Sequence, residues 1–437
     1  MRNERTAPFS VALESENIDL REISRLANFG VPDGLRLRPI YWKLMLGYLP
    51  TDRKLWESTL KDMRDLYDTY VHQFFIKVRK STEDVCVDPL SDEPINDKGP
   101  SDSAWAEYQK NAKLLIEIDK DVRRTHPMVQ FFRCDPEYLA KFGVTQKDIG
   151  SYQSNVGDKS PAIKFSSLTN NSEKGTIFNP PERNRARLNG LLTDFDRLAN
   201  GTFGGILDKP QVSQHHAALV RMLMLFARLN TAIQYVQGLN ELVSMIYYVF
   251  YTECEPEERQ YAEADAFWCF VNLMSAVGDI YTVGLDGDVI GIRGHMSRLM
   301  KGIEARYPAC HKHLSSLGIP ADFFAIRWFT LLLAGEFELP DAVRVWDTVL
   351  GGRVNGPDGV MDRLQAVCVT MIGFVEDDLL QCGYSETITM LQKYPVVDVN
   401  HLLGFAVPKE VTAANNVVSN SEGPASPGGV EGAYRGF

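Results

Sequence analysis

The 437-residue chain has no CxxC pair, and its seven cysteines are scattered and odd in number. That excludes a disulfide framework and a zinc ribbon, and is the pattern of reduced thiols. Long apolar runs are also missing. The richest, Leu242 to Tyr251 and Phe323 to Gly335, fall short of the roughly 20 residues that cross a bilayer, so they read as buried helices. Any membrane contact is then expected to be peripheral or through a partner. The first twenty residues place charges where a secretory signal needs an apolar run, so a cytoplasmic location is expected. Positive charge is in deficit, 46 Lys and Arg against 57 Asp and Glu for a net charge of −11, which argues against a general polyanion binder and leaves nucleic acid unexpected as a partner.

Strict period-two alternation is almost absent, and no strand-helix-strand rhythm appears, so α/β and all-β architectures lose to an all-α one. No repeat of fixed period points to a solenoid. The usual enzyme signatures are lacking too: there is no GxxxxGK[ST], no GxGxxG after a strand, no GxSxG and no HExxH. The glycines at 201–205 and 284–294 lack nucleotide-loop spacing and read as loops. His215-His216 and the pair His311 and His313 have no cysteine or carboxylate companions at ligand spacing, so no metal centre is expected. Arg183, Arg185 and Arg187 read as a solvated loop.

What is present is helix after helix. Apolar residues recur near a 3.6-residue period over 17–27, 53–78 and 105–122, then over about 212–229, 239–252, 260–278, 288–303, 319–337, 340–350, 361–379 and 385–393. Residues 1–16 read as a flexible N-terminus, and the acidic, Pro- and Ser-rich residues 80–103 as a loop. A polar stretch of about 134–209 interrupts the pattern as a partly disordered insertion, and 406–437 reads as a disordered tail. The packed region is therefore expected over 17–405.

Two places carry polar residues at the edge of an apolar helical run. The first is Ile118-Asp119-Lys120-Asp121-Val122-Arg123-Arg124-Thr125-His126-Pro127, where a helix ends in arginines. Cations in a last turn also suit the helix dipole, so this alone is an ordinary helix end. The second is Tyr235-Val236-Gln237-Gly238-Leu239-Asn240, a turn in which Asn240 is placed to cap the apolar helix that follows.

Together these segments resemble the two catalytic motifs of TBC-domain GTPase-activating proteins for Rab-type small GTPases. The IxxDxxR pattern falls on Ile118, Asp121 and Arg124, whose register selects Arg124 over Arg123. The YxQG pattern falls on Tyr235, Gln237 and Gly238, and Asn240 continues it. The opening GVPDGLR with Trp42 is similar to the family's start. Phe324 to Trp328, Glu336, Leu339-Pro340, Arg344, Trp346 and Asp347 are similar to its third motif. Segments such as SAWxxY, AEADxFWCF and LLQKYPVVDV point to one branch of the family. Leu239 stands where the family usually has Met, a nearly volume-conserving exchange.

The resemblance implies a multi-helical TBC fold of two helical lobes and a GTP-bound Rab-family GTPase as partner, with a role in vesicle trafficking and recruitment to endomembranes. It also implies that Arg124 and Gln237 act in trans on GTP. Hydrolysis spreads charge over the transferred phosphoryl oxygens, and a planar, permanently charged guanidinium meets two of them at once. A carboxamide both donates and accepts, which suits it to hold the attacking water. Asp121, Tyr235, Gly238 and Asn240 are expected to support these two, with Arg36, Trp42, Trp328, Trp346 and Asp347 as scaffold. GTP and Mg²⁺ belong to the GTPase, so no cofactor is expected on this chain. The rival reading is a TBC-fold adaptor that binds a GTPase without accelerating hydrolysis.

Overall fold

Leu239 to Phe250 is apolar on almost every side, and a helix of that kind belongs at the centre of a protein. The computed structural model places it there. Residues 2–76, 102–126, 129–132, 214–282 and 291–406 are described. The expected insertion at 134–209 and the tail after 406 lie outside them.

Among the described residues sixteen α-helices follow one another. The first group holds α1 (Arg2–Val11), α2 (Leu20–Ala27), α3 (Arg38–Met45), α4 (Trp56–Val71), α5 (Asp102–Val122), α6 (Gln214–Leu229), α7 (Leu239–Thr252) and α8 (Ala262–Val277). The second holds α9 (Ile292–Arg306), α10 (Pro308–Leu317), α11 (Ile326–Thr330), α12 (Leu339–Gly351), α13 (Gly359–Phe374), α14 (Glu376–Leu379), α15 (Tyr384–Gln392) and α16 (Val399–Ala406). Among the described residues strand pairing is limited to one isolated bridge, Asn17 to Asp52. The fold is all-α. One set of helices gathers α5, α6 and α8 around α7, with α4 packed on α8; the other gathers α9, α12 and α16 around α13. A single apolar core runs through both, from Phe9 to Ala406. Among the described residues no helix is long and apolar enough to cross a membrane.

Several boundaries differ from the sequence expectation, each for a local reason. The N-terminal segment, expected to be flexible, is helical over Arg2–Val11. Phe9 is buried against Tyr41, whose hydroxyl donates to the Phe9 carbonyl at 2.9 Å. One anchoring side chain is too weak a periodic signal to reveal a helix. The expected helix 319–337 is broken: α11 has five residues, and Leu332 and Leu333 follow in the left-handed region at φ 47° and 63°. Both leucines are fully buried, and the Leu332 carbonyl accepts from Trp346 Nε1 at 3.0 Å, so tertiary packing overrides the helical period there. The stretch 361–379 divides at Val375 into α13 and α14. α10, which buries only Cys310 and Leu314, and α16 were not expected.

Asp347 joins the two halves of the chain. It is fully buried and accepts from Val31 N at 2.9 Å, Trp42 Nε1 at 2.8 Å and Arg38 Nε at 3.1 Å. Burial opposes the Arg38 charge, but Asp347 and Glu253 outweigh it and hold the guanidinium above its ordinary pKa. Trp42 also packs on Trp346 with ring centroids 5.7 Å apart. Trp42, Trp328 and Trp346 are wholly buried, as scaffold residues should be. Arg36 is not part of that scaffold: it is exposed and pairs with Glu255, while Arg38, two positions on, takes the buried place.

Candidate functional site: two exposed side chains on one bonded platform

α5 ends because its last turn tightens. Arg124 N donates to the Asp121 carbonyl at 2.9 Å and Thr125 N to the Val122 carbonyl at 3.1 Å, three-residue bonds in place of four-residue ones. His126 then takes the left-handed conformation, φ 38°, and turns the chain away. Ile118 and Val122 face the core, and Asp121, on the same side of the helix, is 7% exposed. Arg123 and Arg124 are both exposed. Arg123 Nε donates to Asp119 Oδ2 at 2.9 Å. Among the described residues the Arg124 side chain has no hydrogen-bond or ion-pair partner. The two adjacent arginines are thus separated by their surroundings.

The turn from Asn230 to Gly238 leads into α7. Gln234 is left-handed at φ 58°, and Gly238 reaches φ 106°, a conformation that suits only glycine. A side-chain carbon at Gly238 would also come within 2.9 Å of Leu331 Cδ2. Gly238 is the residue that caps α7; Asn240, expected as the cap, lies inside the helix and reaches back to accept from Gly238 N at 3.2 Å. Gln237 is exposed, and its carboxamide has no partner among the described residues.

Four side chains tie this turn to the end of α5. The Tyr235 hydroxyl donates to Asp121 Oδ2 at 2.9 Å. Asn240 Nδ2 donates to Thr125 Oγ1 at 2.9 Å and to the Asp121 carbonyl at 3.3 Å. Asn240 is 4% exposed, with both ends of its amide engaged, so it holds structure and has no free group for chemistry. Burial, and then the neighbouring Asp121 carboxylate, raise the Tyr235 pKa above its ordinary value, which keeps the phenol protonated and donating. The arrangement presents a free guanidinium and a free carboxamide at the ends of two elements bonded to each other. It can bring a cation and a donor-acceptor pair to one external reacting group.

A family model described as the Rab-GTPase-TBC domain matches residues 191–380. TBC1 domain family member 13 of Homo sapiens is 31% identical over 411 residues, covering 92% of this chain and 97% of that protein. The chain belongs to the Rab-GTPase-TBC family. The Mus musculus protein of the same name is 32% identical over 410 residues, with the same coverage. Among solved structures, the crystal structure of the Ypt/Rab-GAP domain of Gyp1p covers 92% of this chain and 96% of that one, with a TM-score of 0.59 at 20% identity. The all-α architecture is therefore the TBC fold.

Within this TBC chain the structure gathers Asp121, Arg124, Tyr235, Gln237, Gly238 and Asn240 around one junction. It adds residues that the sequence reading did not single out. Thr125 receives the Asn240 amide and itself donates to the Asp121 carbonyl at 3.3 Å. Asp119 accepts from His216 at 2.8 Å across to α6. Burial alone would raise the Asp119 pKa, but His216 and Arg123 outweigh it and hold it below the ordinary value. The i,i+4 spacing of Asp119 and Arg123 was a visible signal for their pair. Nothing in the sequence pointed to His216 as the third member.

Proposed function

We propose that the chain is a GTPase-activating protein that accelerates GTP hydrolysis on a Rab-type small GTPase, with Arg124 as arginine finger and Gln237 as glutamine finger. Family membership supports the coarser part of this reading. A relative over 408 residues at 22% identity, covering 90% of this chain and 57% of its own length, is named GTPase-activating protein gyp1 of Schizosaccharomyces pombe. The observation that carries the finer part is that, among the described residues, Arg124 and Gln237 are exposed without partners while Asp121, Thr125 and Asn240 between them are buried and bonded.

In this reading the Arg124 guanidinium meets charge developing on the transferred phosphoryl oxygens. Gln237 holds the attacking water by donating to it and accepting from it. GTP and Mg²⁺ arrive on the GTPase. An arginine finger contributes roughly 10³ to 10⁵ in rate, about 4 to 7 kcal/mol. The chain then acts in the cytoplasm and on endomembranes that its partner marks, with vesicle trafficking as the process it regulates.

The experiment is single-turnover phosphate release from GTP-loaded Rab-type GTPases with wild type, Arg124→Lys and Gln237→Ala. Lysine keeps the charge and loses the planar fork, so a large loss in Arg124→Lys supports the finger. Binding without acceleration by wild type would move the chain to the adaptor reading.

A further inference from the structure

Among the described residues the Arg124 side chain has no partner to direct it, so its aim depends on the backbone of its own turn. That turn includes His126 at φ 38°, a conformation a residue with a side chain keeps only when its surroundings over-determine it. On one side the over-determination comes from Asn240, at the start of α7. On the other it comes from a chain of rings that returns to the same helix two turns further on.

The His126 ring faces Phe132 at 5.3 Å, and Phe132 meets Phe131 edge-on at 4.9 Å. Phe131 stacks on His215 of α6 at 3.9 Å and meets Tyr248 of α7 edge-on at 5.2 Å. His215 is anchored in turn, its Nδ1 lying 3.0 Å from the Tyr247 hydroxyl. His126 Nε2 lies 3.3 Å from Glu241 Oε2, again on α7. Burial lowers the pKa of His126 and of His215 to about 4, so both rings stay neutral and stack as apolar groups near neutral pH. One helix thus bears the Gln237 turn at its first residues and grips the segment after Arg124 along its length.

We propose that Phe131 and His126 are positioning residues for Arg124, through a clasp that fixes the far side of the Arg124 turn on α7. The proposal rests on the finger reading above for its catalytic consequence, but its structural half stands apart from it. Both act by holding the backbone from which Arg124 projects.

Two arms test this in the full chain. In the first, amide hydrogen exchange at 123–126 is compared in wild type, Phe131→Leu and His126→Ala. Exchange there rises at least tenfold in both variants while α8 keeps its protection. Unchanged protection at 123–126, or an equal loss across the whole molecule, overturns the clasp. This arm needs no activity, so it decides the clasp even if wild type accelerates no GTPase.

In the second arm, the maximal single-turnover rate falls about 10- to 100-fold in Phe131→Leu, while the GTPase concentration at half-maximal rate stays put. Phe131→Tyr, which keeps the stack, restores the rate. His126→Asn, tolerant of the left-handed backbone, retains more rate than His126→Ala. A wild-type rate in Phe131→Leu, or a change confined to the half-saturating concentration, overturns the positioning role.

Discussion

The Tyr235 hydroxyl donates to Asp121 Oδ2 at 2.9 Å across 114 positions of sequence, and so ties the turn that bears Gln237 to the helix end that bears Arg124. Asp121 is nearly buried, so removing the donor leaves a carboxylate oxygen without its partner in a poorly hydrated place. Tyr235→Phe is expected to cost about 1–3 kcal/mol in a urea titration. It should also lower the single-turnover rate about 10-fold or more, since small misplacements of reacting groups are costly. A variant with wild-type stability and rate would show the bond to be idle.

Gly238→Ala should destabilise the chain by roughly 1–3 kcal/mol, because φ 106° strains any side chain. The alternative cause is crowding by Leu331, the flexible end of a side chain. The double variant Gly238→Ala, Leu331→Ala separates the two. Little recovery is expected, and near-complete recovery would assign the glycine to the contact instead of the backbone.

Of the two motif segments, the sequence made their residue types and register visible, because IxxDxxR and YxQG are local patterns. It also exposed the central helix, since Leu239 to Phe250 is apolar on almost every side. The inter-segment bonds were not legible. Asn240 was expected at the cap of α7, but the cap is Gly238, and Asn240 spends its amide on Thr125 and Asp121. The left-handed Leu332 and Leu333 had no signature because buried leucines look the same in a helix and in a packed turn. Arg38 rather than Arg36 joins Asp347 for a similar reason: two arginines two places apart differ only in which one the fold turns inward.

Asp347→Asn should cost about 3–5 kcal/mol, since the buried Arg38 guanidinium would lose its central counter-charge. Thermal or urea unfolding reads this directly. Asp347 bonds to Val31, Arg38 and Trp42 and to none of the residues that hold the Arg124 turn, so the folded fraction is expected to keep its rate per molecule. Equal stability of the variant would mean that Glu253 and Asp33 suffice for Arg38.

Acid should weaken the fold in a defined window. Burial lowers His126 and His215 from 6.5 to about 4, so between these values the unfolded chain takes up protons that the folded chain refuses. Stability present above pH 6.5 is therefore lost as the pH falls, and these two groups cause no further loss below about 4. At pH 5 the loss is about 1–2 kcal/mol per histidine. Burial raises Glu253 and Glu336, which act in the opposite sense as they protonate. The urea midpoint should fall from pH 7 to pH 5, and His126→Asn should flatten that fall. A pH dependence of the midpoint that is the same in wild type and His126→Asn would contradict the buried neutral state of His126.

The most direct measurement is the rate of phosphate release in a single turnover of GTP-loaded Rab-type GTPases, with wild type beside Arg124→Lys, Arg123→Lys and Gln237→Ala. The account predicts that wild type accelerates one or a few of them. Arg124→Lys and Gln237→Ala should each lose most of that acceleration, while Arg123→Lys, whose arginine is paired with Asp119, keeps it. Full acceleration by Arg124→Lys, or its loss in Arg123→Lys alone, would contradict the assignment of the finger.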